Sequence, residues 1–103
     1  MLIESTSLLL VGVDMQVFTG QPDLQISAVV TVFEAARYLA QHNPQLILID
    51  AALIDSLRRL EVGSVPMIAV ANDATQGEQT IWQGAQAYIL QDDLQPSTLR
   101  YVI

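Results

Sequence analysis

The stretch NPQLILIDAALID, Asn43 to Asp55, decides the fold. Leu46 to Ile49 are four consecutive aliphatic residues with no polar alternation, so a strand built from them is covered on both faces. The run ends on a lone carboxylate, Asp50, and gives way to the helix-compatible AALID. A strand that is apolar on both sides and is followed by a helix belongs to a parallel sheet with helices packed against it.

Four further runs have the same character: LLLVGV (8–13), LQISAVV (24–30), MIAVA (67–71) and AYIL (87–90). Each is short, aliphatic and bounded by Gly, Pro, Asn or Asp, and each reads as a strand. Between the second and third, VFEAARYLAQHNP sets Val32, Ala35, Ala36 and Leu39 at helical spacing and turns Glu34 and Arg37 away, with His42-Asn43-Pro44 as the stop. After LILID, AALIDSLRRLEVGSVP places Leu53, Leu57 and Leu60 on one face of a short helix ending at Gly63 and Pro66. ATQGEQTIWQGA predicts a two-turn helix with Gly84 as its left-handed terminator. DDLQPSTLRYVI offers a proline near a helix start, then Leu99, Val102 and Ile103, and stops almost as the helix begins. Strands alternating with helices in this way predict a doubly wound parallel sheet, whose site is built at the carboxyl ends of its strands. Asp50 stands at such an end.

Size and charge narrow the function. A chain of 103 residues, 51% hydrophobic, makes one domain with a single modest core. Eleven acidic residues against four arginines and no lysine give a formal charge of −7. Such a chain repels phosphate backbones and anionic lipid, so nucleic acid and membrane surfaces are not expected partners. The absence of cysteine excludes disulfides, thiol catalysis and thiolate metal sites, and no apolar run is long enough to span a bilayer. The amino terminus, MLIESTSLLLVG, carries an acid where a signal peptide carries positive charge, and the expected location is the cytoplasm.

Three segments together, TVFEAARYLAQHNPQLILIDAAL, VPMIAVANDA and GAQAYILQDDLQPSTL, resemble in order, spacing and strand-end chemistry the receiver domain of two-component response regulators. The resemblance runs over residues 24–100 and is weak over the first 23. It implies an α/β, flavodoxin-like (CheY-like) fold with five parallel strands in the order 2-1-3-4-5, as a single domain over residues 1–103. It also implies a role in signal transduction. In that family an aspartate ending the third strand accepts a phosphoryl group, and Asp50 matches it. The family adds an acidic pair ending the first strand that holds Mg²⁺, a Thr or Ser ending the fourth, and a Lys ending the fifth. Those positions fall here on Gly12 and Val13, with Asp14 one place later, on Ala71 and on Gln91.

Phosphoryl transfer to a carboxylate brings two anions together, and the family offsets their repulsion with a divalent cation and an ammonium group. Neither ligand set is matched in this sequence. The resemblance is therefore to a degenerate, pseudo-receiver member, of the class found in clock-associated and other signalling proteins, notably of cyanobacteria. Members of that class bind other protein domains, and some are linked to quinone sensing. The expected function is a phosphorylation-independent interaction domain with no cofactor and no resident metal. The alternatives are a residual phospho-acceptor using Asp50 and Asp14, and a sensor holding a quinone-like molecule among Val13, Phe18, Val70 and Tyr88.

A second departure concerns helices. Only DMQVFTGQPD, residues 14–23, joins the first strand to the second, and Gly20 and Pro22 interrupt it. A parallel crossover normally needs a dozen or more residues, so the first helix is expected to be shortened or missing. The last helix is truncated as well. In the family these two helices share one face of the sheet, and their loss predicts an exposed apolar face. A homodimer, an interdomain contact or a helix from another signalling protein would cover it. The ending Tyr101-Val102-Ile103 reads as a break inside a helix, and the chain as a piece of a longer one.

Several single residues have two readings. Asp50 either bonds backbone N–H groups in the turn after its strand or keeps a relict or ligand-sensing role. Tyr88 matches the aromatic switch position of receivers, or is a half-buried tyrosine with a wet hydroxyl. Trp82 is an interface anchor or a core residue. His42 has no metal-binding or catalytic company and suits a helix end. Arg58-Arg59 reads as a solvated helix face, and Asp92-Asp93 as a turn. No Ser-His-Asp set, glycine-rich phosphate loop or paired carboxylate can be assembled, and enzymatic activity is not expected.

Overall fold

The computed structural model describes residues 6–14, 16, 24–60 and 65–94. Five parallel strands form one sheet: β1 (Thr6–Val11), β2 (Leu24–Val29), β3 (Leu46–Asp50), β4 (Met67–Ala71) and β5 (Ala87–Leu90), in the order β2-β1-β3-β4-β5. The three described helices are α1 (Val32–Gln41), α2 (Ile54–Arg59) and α3 (Ala74–Trp82). Single 3₁₀ turns follow β3 at Ala51–Leu53 and β5 at Gln91–Asp93. This is the expected sheet in the expected order. The expectations for the first and last helices, and for Phe18 and Gly63, lie outside the described residues.

β1 differs from its expected span by starting and ending two residues earlier. Gly12 stops it, taking φ 71, a left-handed conformation that most side chains avoid, while its N–H donates to the Val29 carbonyl at 3.0 Å. α1 is opened by a capping box: Thr31 Oγ1 accepts from Glu34 N at 3.2 Å, and Glu34 Oε1 accepts from Thr31 N at 3.3 Å. At the start of α3, Asp73 Oδ1 accepts from Gln76 N at 2.8 Å and Gln76 Oε1 accepts from Asn72 N at 2.7 Å. Asp73→Ala removes this cap, with an expected loss of about 1 kcal/mol, read as a fall of several degrees in Tm. α3 ends as expected at Gly84, whose φ is 111.

The period-two alternation of each strand divides its side chains between two cores. Leu9, Val11, Ile47, Ile49, Ala69 and Ala71 meet Ala35 of α1 and Ile54 and Leu57 of α2 on the first face. Leu8, Leu10, Leu46, Leu48, Ile68, Val70 and Ile89 make the second cluster with Leu94. All of them are buried, which corrects the expectation of an exposed sheet face. With this face buried, the dimer or interdomain contact expected over it is not needed to cover it.

The face of α2 is also corrected. Ile54 and Leu57 point inward, whereas Leu53 is half-buried and Leu60 is exposed. The 3₁₀ turn has fewer residues per turn than an α-helix and delays the α-helical start to Ile54, which shifts the inward stripe by one position.

Candidate functional site

In a parallel sheet every strand delivers its last residue to the same edge, so the loops after β1, β3, β4 and β5 converge there. Asp14, Asp50, Asp73, Asp92 and Asp93 all follow or end these strands. The register sets Val11 beside Ile49, Asp50 beside Val70, and Ala71 beside Leu90. Gly12, Val13, Asp14, Ala71 and Gln91 are therefore carried to the edge that holds Asp50. Tyr88 lies further back along β5.

Asp50 is half-buried and already engaged. Its Oδ1 accepts from Ala52 N at 2.9 Å, capping the 3₁₀ turn that follows the strand. Gly12 stands on its flank. A Cβ added at Gly12 would lie 3.4 Å from Asp50 Cβ and 2.8 Å from Leu53 Cδ1. The volume that a side chain at position 12 would enter is thus taken by a leucine methyl, and the positive φ of Gly12 disfavours any other residue there.

Val13 turns to the second hydrophobic cluster and packs against it. Asp14 is exposed, and its Oδ1 accepts from Gln16 N at 2.9 Å in an Asx turn. Ala71 is fully buried in the first cluster and presents only a methyl group. Gln91 is exposed in the 3₁₀ turn after β5 and brings a neutral amide. Among the described residues no three of His, Asp and Glu come together so as to hold a metal ion.

The described cations lie elsewhere. Arg37 is on α1. Arg59 pairs with Asp55 one turn back at 2.8 Å, both exposed. Arg58 does more than solvate a helix: its guanidinium donates to the Gln83 carbonyl at the end of α3 and packs over Gly84. A cation at the carboxyl end of a helix satisfies its orphan carbonyls and suits its dipole. His42 stacks on Tyr38 with ring centroids 4.4 Å apart.

Trp82 is 90% exposed, which removes its core reading. α3 leaves the carboxyl end of β4 and returns to the amino end of the parallel β5, so Trp82 lies at the opposite edge of the sheet from Asp50. Tyr88 is half-buried on the first face, its ring seated over Gly77 of α3. Val70 belongs to the second face. Of the pocket expected from Val13, Phe18, Val70 and Tyr88, Phe18 lies outside the described residues, and Tyr88 does not share a face with Val13 and Val70, because residues of opposite strand parity stand on opposite sides of the sheet.

Relations that escaped the sequence include Leu53 in the space beside Gly12 and Arg58 on the end of α3. Both join residues tens of positions apart, and no spacing signals them.

No protein-family model matches the chain, and no match was found among curated proteins. Solved structures are. The receiver domain of a sensor histidine kinase from Pseudomonas aeruginosa, with a magnesium ion coordinated in its active-site cleft, superposes with a TM-score of 0.77 at 19% identity. The match covers 95% of this chain and 93% of that one. The receiver domain of the Francisella response regulator 1452 gives 0.74 at 14% identity, over 95% and 93% of the two chains. A CheY-like receiver domain from Methanospirillum hungatei gives 0.67 at 19% identity, over 96% and 91%. The chain has the fold of response-regulator receiver domains.

Proposed function

We propose that this domain is a phosphorylation-independent, pseudo-receiver interaction module of a cytoplasmic signal-transduction protein. Its partner is another signalling protein or the remainder of a longer chain. The observation that carries this reading is the flank of Asp50, where Gly12 at φ 71 and the Leu53 methyl stand at the position that the resemblance to receivers assigns to a metal-binding carboxylate. The buried methyl of Ala71 and the neutral amide of Gln91 support it, because neither supplies the hydroxyl or the ammonium that a transferring phosphoryl group needs. The aspartates following the strands add like charge to the same edge. A working surface at the end of α3, with exposed Trp82 and half-exposed Ile81 beside it, fits a protein partner better than it fits catalysis.

Treatment with acetyl phosphate and Mg²⁺ followed by intact mass measurement tests the proposal. The expected result is an unchanged mass. A labile gain of one phosphoryl group that disappears in Asp50→Asn would overturn it in favour of a residual phospho-acceptor served by Asp50 and Asp14.

A further inference from the structure

β2 is an edge strand, paired along its length with β1 and, among the described residues, with nothing on its other side. The Gly12 N–H bond to the Val29 carbonyl turns the backbone groups of Val29 toward β1. These groups alternate in direction along a strand, so Gln25 and Ser27 share that direction while Ile26 and Ala28 aim their N–H and C=O out of the sheet. Proteins usually blunt such an edge with lysine, proline, a bulge or an inward charge. The run Leu24 to Val30 contains no charged residue, proline or glycine, and its register with β1 is unbroken.

The surroundings also suit association. Val30 is 76% exposed and Phe33 70% exposed at the carboxyl end of the strand. Glu34 and Arg37 of α1, with Val29 and Tyr38, line a hollow beside the edge. No ion pair holds Arg37 among the described residues. In a chain of charge −7, two copies repel wherever their carboxylates meet, and this seam offers an uncharged strand with Glu34 and Arg37 together in the hollow beside it.

We propose that β2 pairs antiparallel with β2 of a second copy about a two-fold axis at Ala28, joining two five-stranded sheets into one. An isologous contact must be self-complementary, and this register is. Ala28 exchanges both backbone bonds with the partner's Ala28. Ile26 faces the partner's Val30 on the second face of the sheet, which gives an exposed valine an apolar neighbour. Ser27 faces the partner's Val29 on the first face, beside the hollow. Glu34 and Arg37 of each copy line the hollow beside this seam, so together they add no net charge to it. The contact is separate from the surface at Trp82.

Sedimentation equilibrium of the 103-residue chain across rising concentration tests the pairing, with the mass expected to reach that of two chains. Ala28→Pro deletes the outward N–H and leaves the β1 ladder its donors at Gln25, Ser27 and Val29, a placement that edge strands tolerate. Ala28→Glu sets two carboxylates opposite each other on the axis. Both variants are expected to sediment as single chains with unchanged far-ultraviolet circular dichroism, whereas Trp82→Ala keeps the doubled mass. Should Ala28→Pro fail to fold, Ala28→Glu decides alone. A parent chain that stays at single mass throughout, or a doubled mass that survives Ala28→Glu, would overturn the proposal. Neither result bears on the phosphoryl measurement, so the two readings fail separately.

Discussion

Leu48→Ala is expected to destabilise the domain by about 2–5 kcal/mol, as much as Ile49→Ala on the neighbouring position. Both side chains are fully buried, Ile49 in the cluster under the described helices and Leu48 in the cluster on the other face. Truncating either leaves a cavity among aliphatic neighbours that relax only in part, and the lost contacts add to the lost transfer energy. For a domain of this size each kcal/mol moves Tm by roughly 4–8 °C, so both variants should melt about 10 °C or more below the parent. The pair is diagnostic because a leucine on a water-exposed face would leave no cavity. A Leu48→Ala variant melting within a degree or two of the parent, beside a strongly destabilised Ile49→Ala, would show the second face to be open after all.

Gly77→Ala carries the next largest effect, and its sign is the reverse of the usual one. In most helix interiors this change stabilises by about 1 kcal/mol, because alanine loses less backbone entropy than glycine. Here the added Cβ would lie 2.5 Å from Tyr88 Cγ, with the ring face against it. The ring must leave or α3 must lift from β5, and overpacking of this kind costs about 1–3 kcal/mol. The expected outcome is a net loss of stability, measured by thermal or urea unfolding. Tyr88→Ala in the Gly77→Ala background should recover part of it, giving a double-mutant coupling that only direct contact produces. A Gly77→Ala variant more stable than the parent would mean that Tyr88 does not rest on α3. The contact matters beyond stability, since it fixes the helix that carries Trp82.

The sheet was legible because its evidence is local. LILID, MIAVA and AYIL are unbroken aliphatic runs, and their spans agree with β3, β4 and β5 residue for residue. The capping box Thr31-x-x-Glu34 and the pair Asp73-x-x-Gln76 were equally local and could have marked the starts of α1 and α3. The face of α2 was misjudged because a six-residue helix has too few turns to set its own phase, and the preceding 3₁₀ turn set it instead. The exposed-face expectation failed for a related reason. Short connections around β1 and β5 argued for missing cover, but burial depends on everything that packs against a strand, which connection length does not report.

The site divides in the same way. That Gly12, Val13, Asp14, Asp50, Ala71 and Gln91 reach one edge follows from the order of parallel strands, which the pattern of apolar runs already implies. What occupies the space between them does not. Leu53 in the space beside Gly12, Tyr88 seated on Gly77 and Arg58 capping α3 are each settled by groups that meet only when the chain folds, and Trp82 is left turned to solvent. Backbone pattern is set by short-range sterics and hydrophobic period, so the sequence by itself determined the sheet and the position of its edge. Occupancy of the space around that edge depends on volumes that meet only after folding, and the tertiary structure alone decided that the place beside Asp50 is apolar and filled.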